Sequence, residues 1–120
     1  MGCHLPKKMI LKKSADFRSV FQNGHSIKNE YFSIYFVKRN DLKVGFAAAK
    51  KCANKPMRNK LKRIARELWR TNHIRYSLSA HIVIIASKRN LAVRHNKREE
   101  AFVKLLAALN EKIDADVSTE

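Results

Sequence analysis

Leu42-Lys43-Val44-Gly45-Phe46-Ala47-Ala48-Ala49, then Pro56-Met57-Arg58-Asn59-Lys60-Leu61-Lys62-Arg63-Ile64-Ala65-Arg66-Glu67-Leu68-Trp69-Arg70, then Ile82-Val83-Ile84-Ile85-Ala86 are the three stretches whose reading decides the fold. The first alternates as a strand over about 42–49. Val44, Phe46 and Ala48 share one face, and Gly45, Ala47 and Ala49, all small, share the other. Small side chains on a strand leave room for another group to approach the backbone. The second stretch has helical period. Pro56 suits a first turn, where its missing N–H costs nothing. At about 100° per residue, Met57, Leu61, Ile64, Ala65 and Leu68 fall in one arc, and Arg58, Asn59, Lys62, Arg63, Arg66 and Arg70 fall opposite. The third stretch, apolar without interruption, fits a central strand covered on both faces. A helix between two strands of one sheet implies a parallel βαβ unit.

Working outward, residues 30–37 alternate as another strand, with Phe32, Ile34 and Phe36 on one side and Tyr31, Ser33, Tyr35 and Val37 on the other. Lys38-Arg39-Asn40-Asp41 has the length and polarity of a hairpin connection to the strand at 42–49. Before them, Ser14 can cap a short helix that carries Asp16 in its first turn and Phe17, Val20 and Phe21 on one face, with Asn23-Gly24 as its stop. After the apolar strand, 87–95 reads as a basic loop. Asn96 with Glu99 reads as a cap and its partner, and Phe102, Leu105, Leu106, Leu109 and Ile113 form the apolar face of a last helix. Residues 71–80 fit either frayed helix or loop. The expected fold is therefore α+β, a single α-β-β-α-β-α domain over 14–113 with a small mixed sheet. A basic arm precedes it at 1–13, in which Met9, Ile10 and Leu11 can tuck against the domain, and an acidic, loose tail follows at 114–120.

Charge narrows the function. The chain has 120 residues with 26 Lys and Arg against 10 Asp and Glu, a net charge of +16, so self-repulsion needs a polyanionic counterpart. RNA, DNA and an anionic membrane surface qualify; a small neutral metabolite does not. Nine of the 26 basic residues lie in 50–70, where Glu67 is the only acid, so the charge is concentrated on the central helix and on Lys50-Lys51 before it. The apolar run 82–86 is too short to span a bilayer, and Met1 to Pro6 lacks the apolar core of a signal peptide. Cys3 and Cys52 fit two reduced thiols, and a cytoplasmic location is expected.

Catalytic patterns are missing. His4, His25, His73, His81 and His95 show no metal-ligand spacing and no neighbouring acid in sequence, the carboxylates are scattered, and there is no glycine-rich phosphate loop. No catalytic residue and no metal ligand is expected in the chain. It reads as a binder of nucleic acid; a ribonuclease acting through histidine and a ribosomal or general RNA-binding protein are the alternatives. Phe17, Phe21 and Tyr35 have two uses open to them. They can be core, or, if the first helix packs on the Tyr35 face, they can border the strip of Gly45, Ala47 and Ala49 as a stacking platform for single-stranded RNA.

The run from Lys50-Lys51 through Arg58-Asn59-Lys60-Leu61-Lys62-Arg63 to Arg66 resembles the signature of the bacterial ribonuclease P protein subunit. The opening Leu11 to Phe21, Asn23-Gly24, Phe32 to Tyr35, Val44-Gly45 and the 82–86 strand are similar to that family in the same order. The resemblance implies a ribonucleoprotein that removes the 5′ leader of precursor tRNA, with hydrolysis performed by a catalytic RNA and Mg2+ bound mainly by that RNA. It implies contact with the catalytic RNA through Arg58, Asn59, Lys60, Lys62, Arg63 and Arg66. It also implies a leader groove of Phe17, Phe21, Tyr35 and Lys51, a βαβ crossover of the left hand, and no obligate protein partner. Lys60 stands where the family has a second Arg, which keeps the charge and loses the planar fork; Ala53 stands where it has Gly.

Overall fold

The computed structural model describes residues 10–11, 14–49, 54–73 and 79–118. Three helices, α1 (Ser14–Asn23), α2 (Lys55–Asn72) and α3 (His95–Ser118), accompany four strands, β1 (His25–Lys28), β2 (Phe32–Lys38), β3 (Lys43–Ala48) and β4 (Ala80–Ala86). They form a single α+β domain with one mixed sheet in the order β1-β2-β4-β3.

Two features of this order differ from the sequence reading. First, β1 is an additional strand. It pairs antiparallel with β2, from His25 opposite Phe36 to Lys28 opposite Ser33. Its side chains are mostly exposed, so it carries no apolar alternation to read. Asn29 makes the turn: its Oδ1 accepts from the backbone N–H groups of Tyr31 and Phe32, each at 2.9 Å. Second, β2 and β3 are not a hairpin. β4 lies between them, antiparallel to β2 and parallel to β3. The expected parallel βαβ unit is β3-α2-β4.

The insertion of β4 follows from its side chains. Ile82 and Ile84 join the larger core under α2 and α3, while Val83 and Ile85 face α1. A strand apolar on both faces gains most from the central position. The larger core takes Phe32, Ile34 and Phe36 of β2, Val44 of β3, Leu61, Ile64, Leu68 and Trp69 of α2 and Phe102, Leu105, Leu106 and Leu109 of α3. Phe32 and Phe102 meet edge to face with centroids 5.2 Å apart.

Burial also fixes how α2 is rotated. Leu61, Leu68 and Trp69 are fully buried, and each is worth about 1.5–3 kcal/mol of burial. Turning the helix to hide its cations would forfeit all three. Asn54 starts it, with Oδ1 accepting from the Met57 N–H at 2.9 Å and Pro56 in the first turn. It runs past Arg70 to Asn72, so the first part of the ambiguous stretch is helix. Asn72, buried, donates to the Leu68 carbonyl at 2.9 Å and to Glu99 at 3.3 Å, tying α2 to α3. Glu99 therefore does not close a capping box with Asn96. The helix begins two residues earlier, at His95, with the Lys97 and Arg98 N–H groups donating to the Arg94 carbonyl. The basic loop before it contains a 3-10 turn, Lys88–Ala92. Its buried Asn90 donates to the carbonyls of Tyr31 and Ser87 and accepts from the Arg98 guanidinium at 2.8 Å, which fixes where α3 starts. The helical backbone of α3 continues to Ser118, through most of the stretch read as a loose tail. Of the basic arm, Ile10 bridges Val44 and Leu11 is buried, its N–H donating to the Val44 carbonyl at 3.0 Å. Residues 1–9, 12 and 13 lie outside the described residues, as do 74–78 of the ambiguous stretch.

Candidate nucleic-acid interface

With the apolar arc of α2 inside, Arg58, Asn59, Lys60, Lys62, Arg63 and Arg66 are all exposed. Among the described residues no ion pair neutralises any of these five cations; the one acid on the helix, Glu67, is joined to Arg70. That hydrogen bond, with the charges of Arg70 and His95, holds the Glu67 carboxyl below its usual range, against desolvation that pushes it up.

The cationic surface has two shoulders. On the sheet side, Lys55, Arg58, Asn59 and Lys62 close a concavity of about 280 Å3 against Ala47 and Ala48 of β3, and the Arg66 guanidinium lies 5.7 Å from the centre of the Phe46 ring. On the other side, Lys60, Arg63, Ile64 and Glu67 face His95 across a second concavity of about 280 Å3.

The aromatic residues come together on the opposite face of the sheet. α1 packs there through Val20 on Val83 of β4, with Phe17 and Tyr35 packed around them. Gly45 faces this helix: a Cβ placed on it would lie 2.5 Å from Phe17 Cζ, so the ring rests on glycine backbone. Phe21 meets Tyr35 edge to face, centroids 4.9 Å apart, and is 44% exposed, the one large apolar side chain so exposed among the described residues. Three of the four expected groove residues thus share one surface, bordering the small residues of β3. Ala47 belongs both to that strip and to the concavity under α2, so the aromatic surface and the cationic surface meet at the β3 edge. Lys51 and Ala53 lie outside the described residues.

One pairing was not legible. His81 Nε2 lies 2.9 Å from Asp41 Oδ1, forty residues away in sequence, on the row of Val37, His81 and Lys43. The hydrogen bond from His81 holds the Asp41 carboxyl below its usual range, with the charges of His81 and Lys43 adding to it. No cue in sequence spacing announces it. Among the described residues no group of three or more His, Cys, Asp or Glu side chains could hold a metal ion, and no helix is long and apolar enough to cross a membrane.

A mixed sheet with α1 on one face and α2 and α3 on the other, a helix with five exposed cations unpaired among the described residues, and an aromatic shelf that meets it at the β3 edge define a small α+β protein with a surface suited to a polyanion. A family model for ribonuclease P matches residues 5–110. The ribonuclease P protein component of Alkaliphilus metalliredigens is 36% identical over 101 residues, covering 82% of this chain and 85% of that protein. Two solved structures share the fold. A Staphylococcus aureus RNase P protein mutant with defective mRNA degradation activity has a TM-score of 0.75 at 27% identity, covering 86% and 89% of the two chains. The RNase P protein of Thermotoga maritima has a TM-score of 0.71 at 30% identity, covering 80% and 93%. The chain belongs to the ribonuclease P protein component family.

Proposed function

We propose that this chain is the subunit of ribonuclease P that grips the catalytic RNA through α2 and guides the 5′ leader of precursor tRNA along the aromatic shelf. Arg58, Lys60, Lys62, Arg63 and Arg66 meet sugar–phosphate backbone, and Asn59 reaches a backbone oxygen or an exposed base edge. Phe17, Phe21 and Tyr35 stack leader bases, each worth about 1–3 kcal/mol, and Lys51 accompanies them. Phosphodiester hydrolysis belongs to the RNA, with magnesium held mainly by RNA phosphates, and the particle works in the cytoplasm without an obligate protein partner. The observation that carries this reading is the exposed row of five α2 cations, which no acid among the described residues neutralises.

Reconstitution tests it. Leader cleavage by the catalytic RNA at low magnesium is compared with and without the protein. A gain in precursor affinity or cleavage is expected; no gain over RNA alone overturns the reading. Phe17→Ala should weaken binding of precursor tRNA and leave assembly with the catalytic RNA intact, and the reverse pattern refutes the division of roles.

A second reading, cleavage of RNA by this chain alone, draws on His81 and Asp41, a pair with the geometry of an oriented general base, and on the mRNA degradation activity of the Staphylococcus aureus relative. Incubating the protein with RNA in the absence of the catalytic RNA separates the two. Cleavage abolished by His81→Ala favours the second reading, and no cleavage disposes of it.

A further inference from the structure

We infer that Lys28 of β1 is a phosphate anchor for the distal part of the leader, at the far end of an open row that crosses the whole sheet. The inference rests on the aromatic shelf being the leader surface, and it gives that surface a direction and an end.

Strand register builds the row. Lys28 lies opposite Ser33, Ser33 opposite Ile85, and Ile85 opposite Ala47, so one residue from each of β1, β2, β4 and β3 stands in line. Each is two residues from a member of the row Ser26, Tyr35, Val83 and Gly45, on which α1 packs. Side chains alternate along a strand, so both rows share the α1 face.

The rotation of α1 leaves the second row open. Val20 points at the sheet and is fully buried. At about 100° per residue, Phe17 and Phe21 fall on one flank of the helix and Ser19 on the other. Ser19 accepts from the Arg39 guanidinium at 3.3 Å, on the side where β2 ends at Lys38. The aromatic flank therefore overlooks Ser33, Ile85 and Ala47, which are half-buried, and Lys28, which is exposed.

Chemistry changes along the row. At β3, Ala47 borders the concavity of Lys55, Arg58, Asn59 and Lys62. In the middle, Ile85 and Ser33 are uncharged, which suits bases laid against apolar and aromatic groups. At β1 positive charge returns with Lys28. Among the described residues Lys28 is in no ion pair. Its ammonium is a point charge on a flexible stem with three donors, a form suited to a phosphate oxygen. Neighbouring strands lie about 4.8 Å apart, so three spacings put Lys28 about 14 Å from β3. The RNA that performs hydrolysis sits on α2 in the proposed function, so the cleavage end of the leader is the β3 end. A strand leaving the α2 cations crosses an uncharged floor before it meets Lys28. Lys28 thus holds a phosphate several nucleotides from the cleavage site, beyond the reach of a short leader.

Precursor tRNAs whose leaders are shortened from the 5′ end one nucleotide at a time, bound by the protein reconstituted with catalytic RNA, test this. Lys28→Ala should weaken binding of the longest leaders about 1.5- to 5-fold and leave leaders below a threshold length unaffected. For long leaders it should also lower the slope of log affinity against log salt by about 0.7. Lys28→Arg should restore both. Lys104→Ala, on α3 at the other face of the sheet, removes the same charge and should leave the series unchanged. A loss equal at every leader length, a loss shared by Lys104→Ala, a loss that Lys28→Arg does not restore, or no loss at all overturns the inference. The unaltered protein in the same series tests the proposed function separately, because a leader should raise its affinity above that for mature tRNA. If it does and Lys28→Ala behaves identically, this inference falls and the proposed function stands. If the leader adds nothing to binding by the unaltered particle, the proposed function falls and takes this inference with it.

Discussion

Gly45→Ala puts the relation between the sheet and the aromatic shelf to a quantitative test. The added methyl would sit 2.5 Å from Phe17 Cζ, 2.7 Å from Phe17 Cε1 and 3.3 Å from Leu11 Cβ. Carbon atoms rest about 3.5–4.0 Å apart, so the ring must retreat by roughly 1 Å. Crowding of this kind costs about 1–3 kcal/mol, and replacing a glycine inside a strand returns about 0.5–1 kcal/mol. A net loss of about 1–2 kcal/mol is expected, read from denaturant unfolding followed by fluorescence of the buried, single Trp69. The contact is with one ring, so the loss should depend on that ring. In a Phe17→Ala background the same substitution should be neutral or slightly stabilising, because only the Leu11 contact remains. Gly45→Ala should also weaken precursor tRNA binding by no more than one stacked base, about 1–3 kcal/mol or roughly 5- to 150-fold, and leave mature tRNA, which lacks the leader, unaffected. Equal destabilisation with the Phe17 ring present and in the Phe17→Ala background would refute the reasoning.

Gly24→Ala should be costlier, because the new Cβ would meet backbone, the Phe36 carbonyl oxygen at 2.2 Å and that of Val20 at 2.5 Å, neither able to move alone; a loss of about 3 kcal/mol or more is expected in the same unfolding assay. Arg66→Ala and Arg58→Ala should each weaken binding to the catalytic RNA and lower the slope of log affinity against log salt by about 0.7–0.9, and an unchanged slope would remove that residue from the phosphate contacts. Asp41 has a folded-state pKa below its ordinary 3.8. Its contribution to stability is therefore present above that value and is lost as pH falls through the lower, folded one, so Asp41→Asn should flatten the acid limb of a stability–pH profile below about pH 4 and leave its neutral region unchanged in slope. Asn54→Ala removes the oxygen that accepts from Met57 and should cost about 1 kcal/mol, with the loss of helix seen by circular dichroism.

The fold was largely legible where side chains alternate or repeat strongly. Phe32, Ile34 and Phe36 announce β2, Leu61, Ile64 and Leu68 announce the buried side of α2, and Ile82 to Ala86 announce a strand covered on both faces. Pairing was less legible. Neighbours in sequence are usually neighbours in a sheet, which made a hairpin of β2 and β3 the natural expectation. The outcome turned on a comparison no local window contains: β4 has Ile82 and Ile84 to bury on one side and Val83 and Ile85 on the other, while β1 is mostly polar and β3 buries Val44 on one side but has only polar or small residues toward α1. β1 escaped notice for the same reason, since His25-Ser26-Ile27-Lys28 has one apolar residue and is held by backbone pairing to β2.

The candidate site divides along the same line. A helix carries its own coordinate system, so the six polar residues of α2 could be placed on one surface from spacing alone. Where that surface meets its surroundings depends on other elements. Ala47 and Ala48 arrive from β3, His95 from α3, and Asp41 reaches His81 across a loop. Charge patterning therefore locates a polyanion surface, while the fold decides which parts of it are shaped. One shoulder of α2 has cations, Asn59 and the small residues of β3, a chemistry that can hold phosphate. The other has cations, an apolar wall, the Glu67 carboxylate held by Arg70, and His95 brought from α3. Glu67, which in the sequence is only the exception within a basic run, is held by Arg70 of the same helix and faces the His95 that α3 supplies across the concavity.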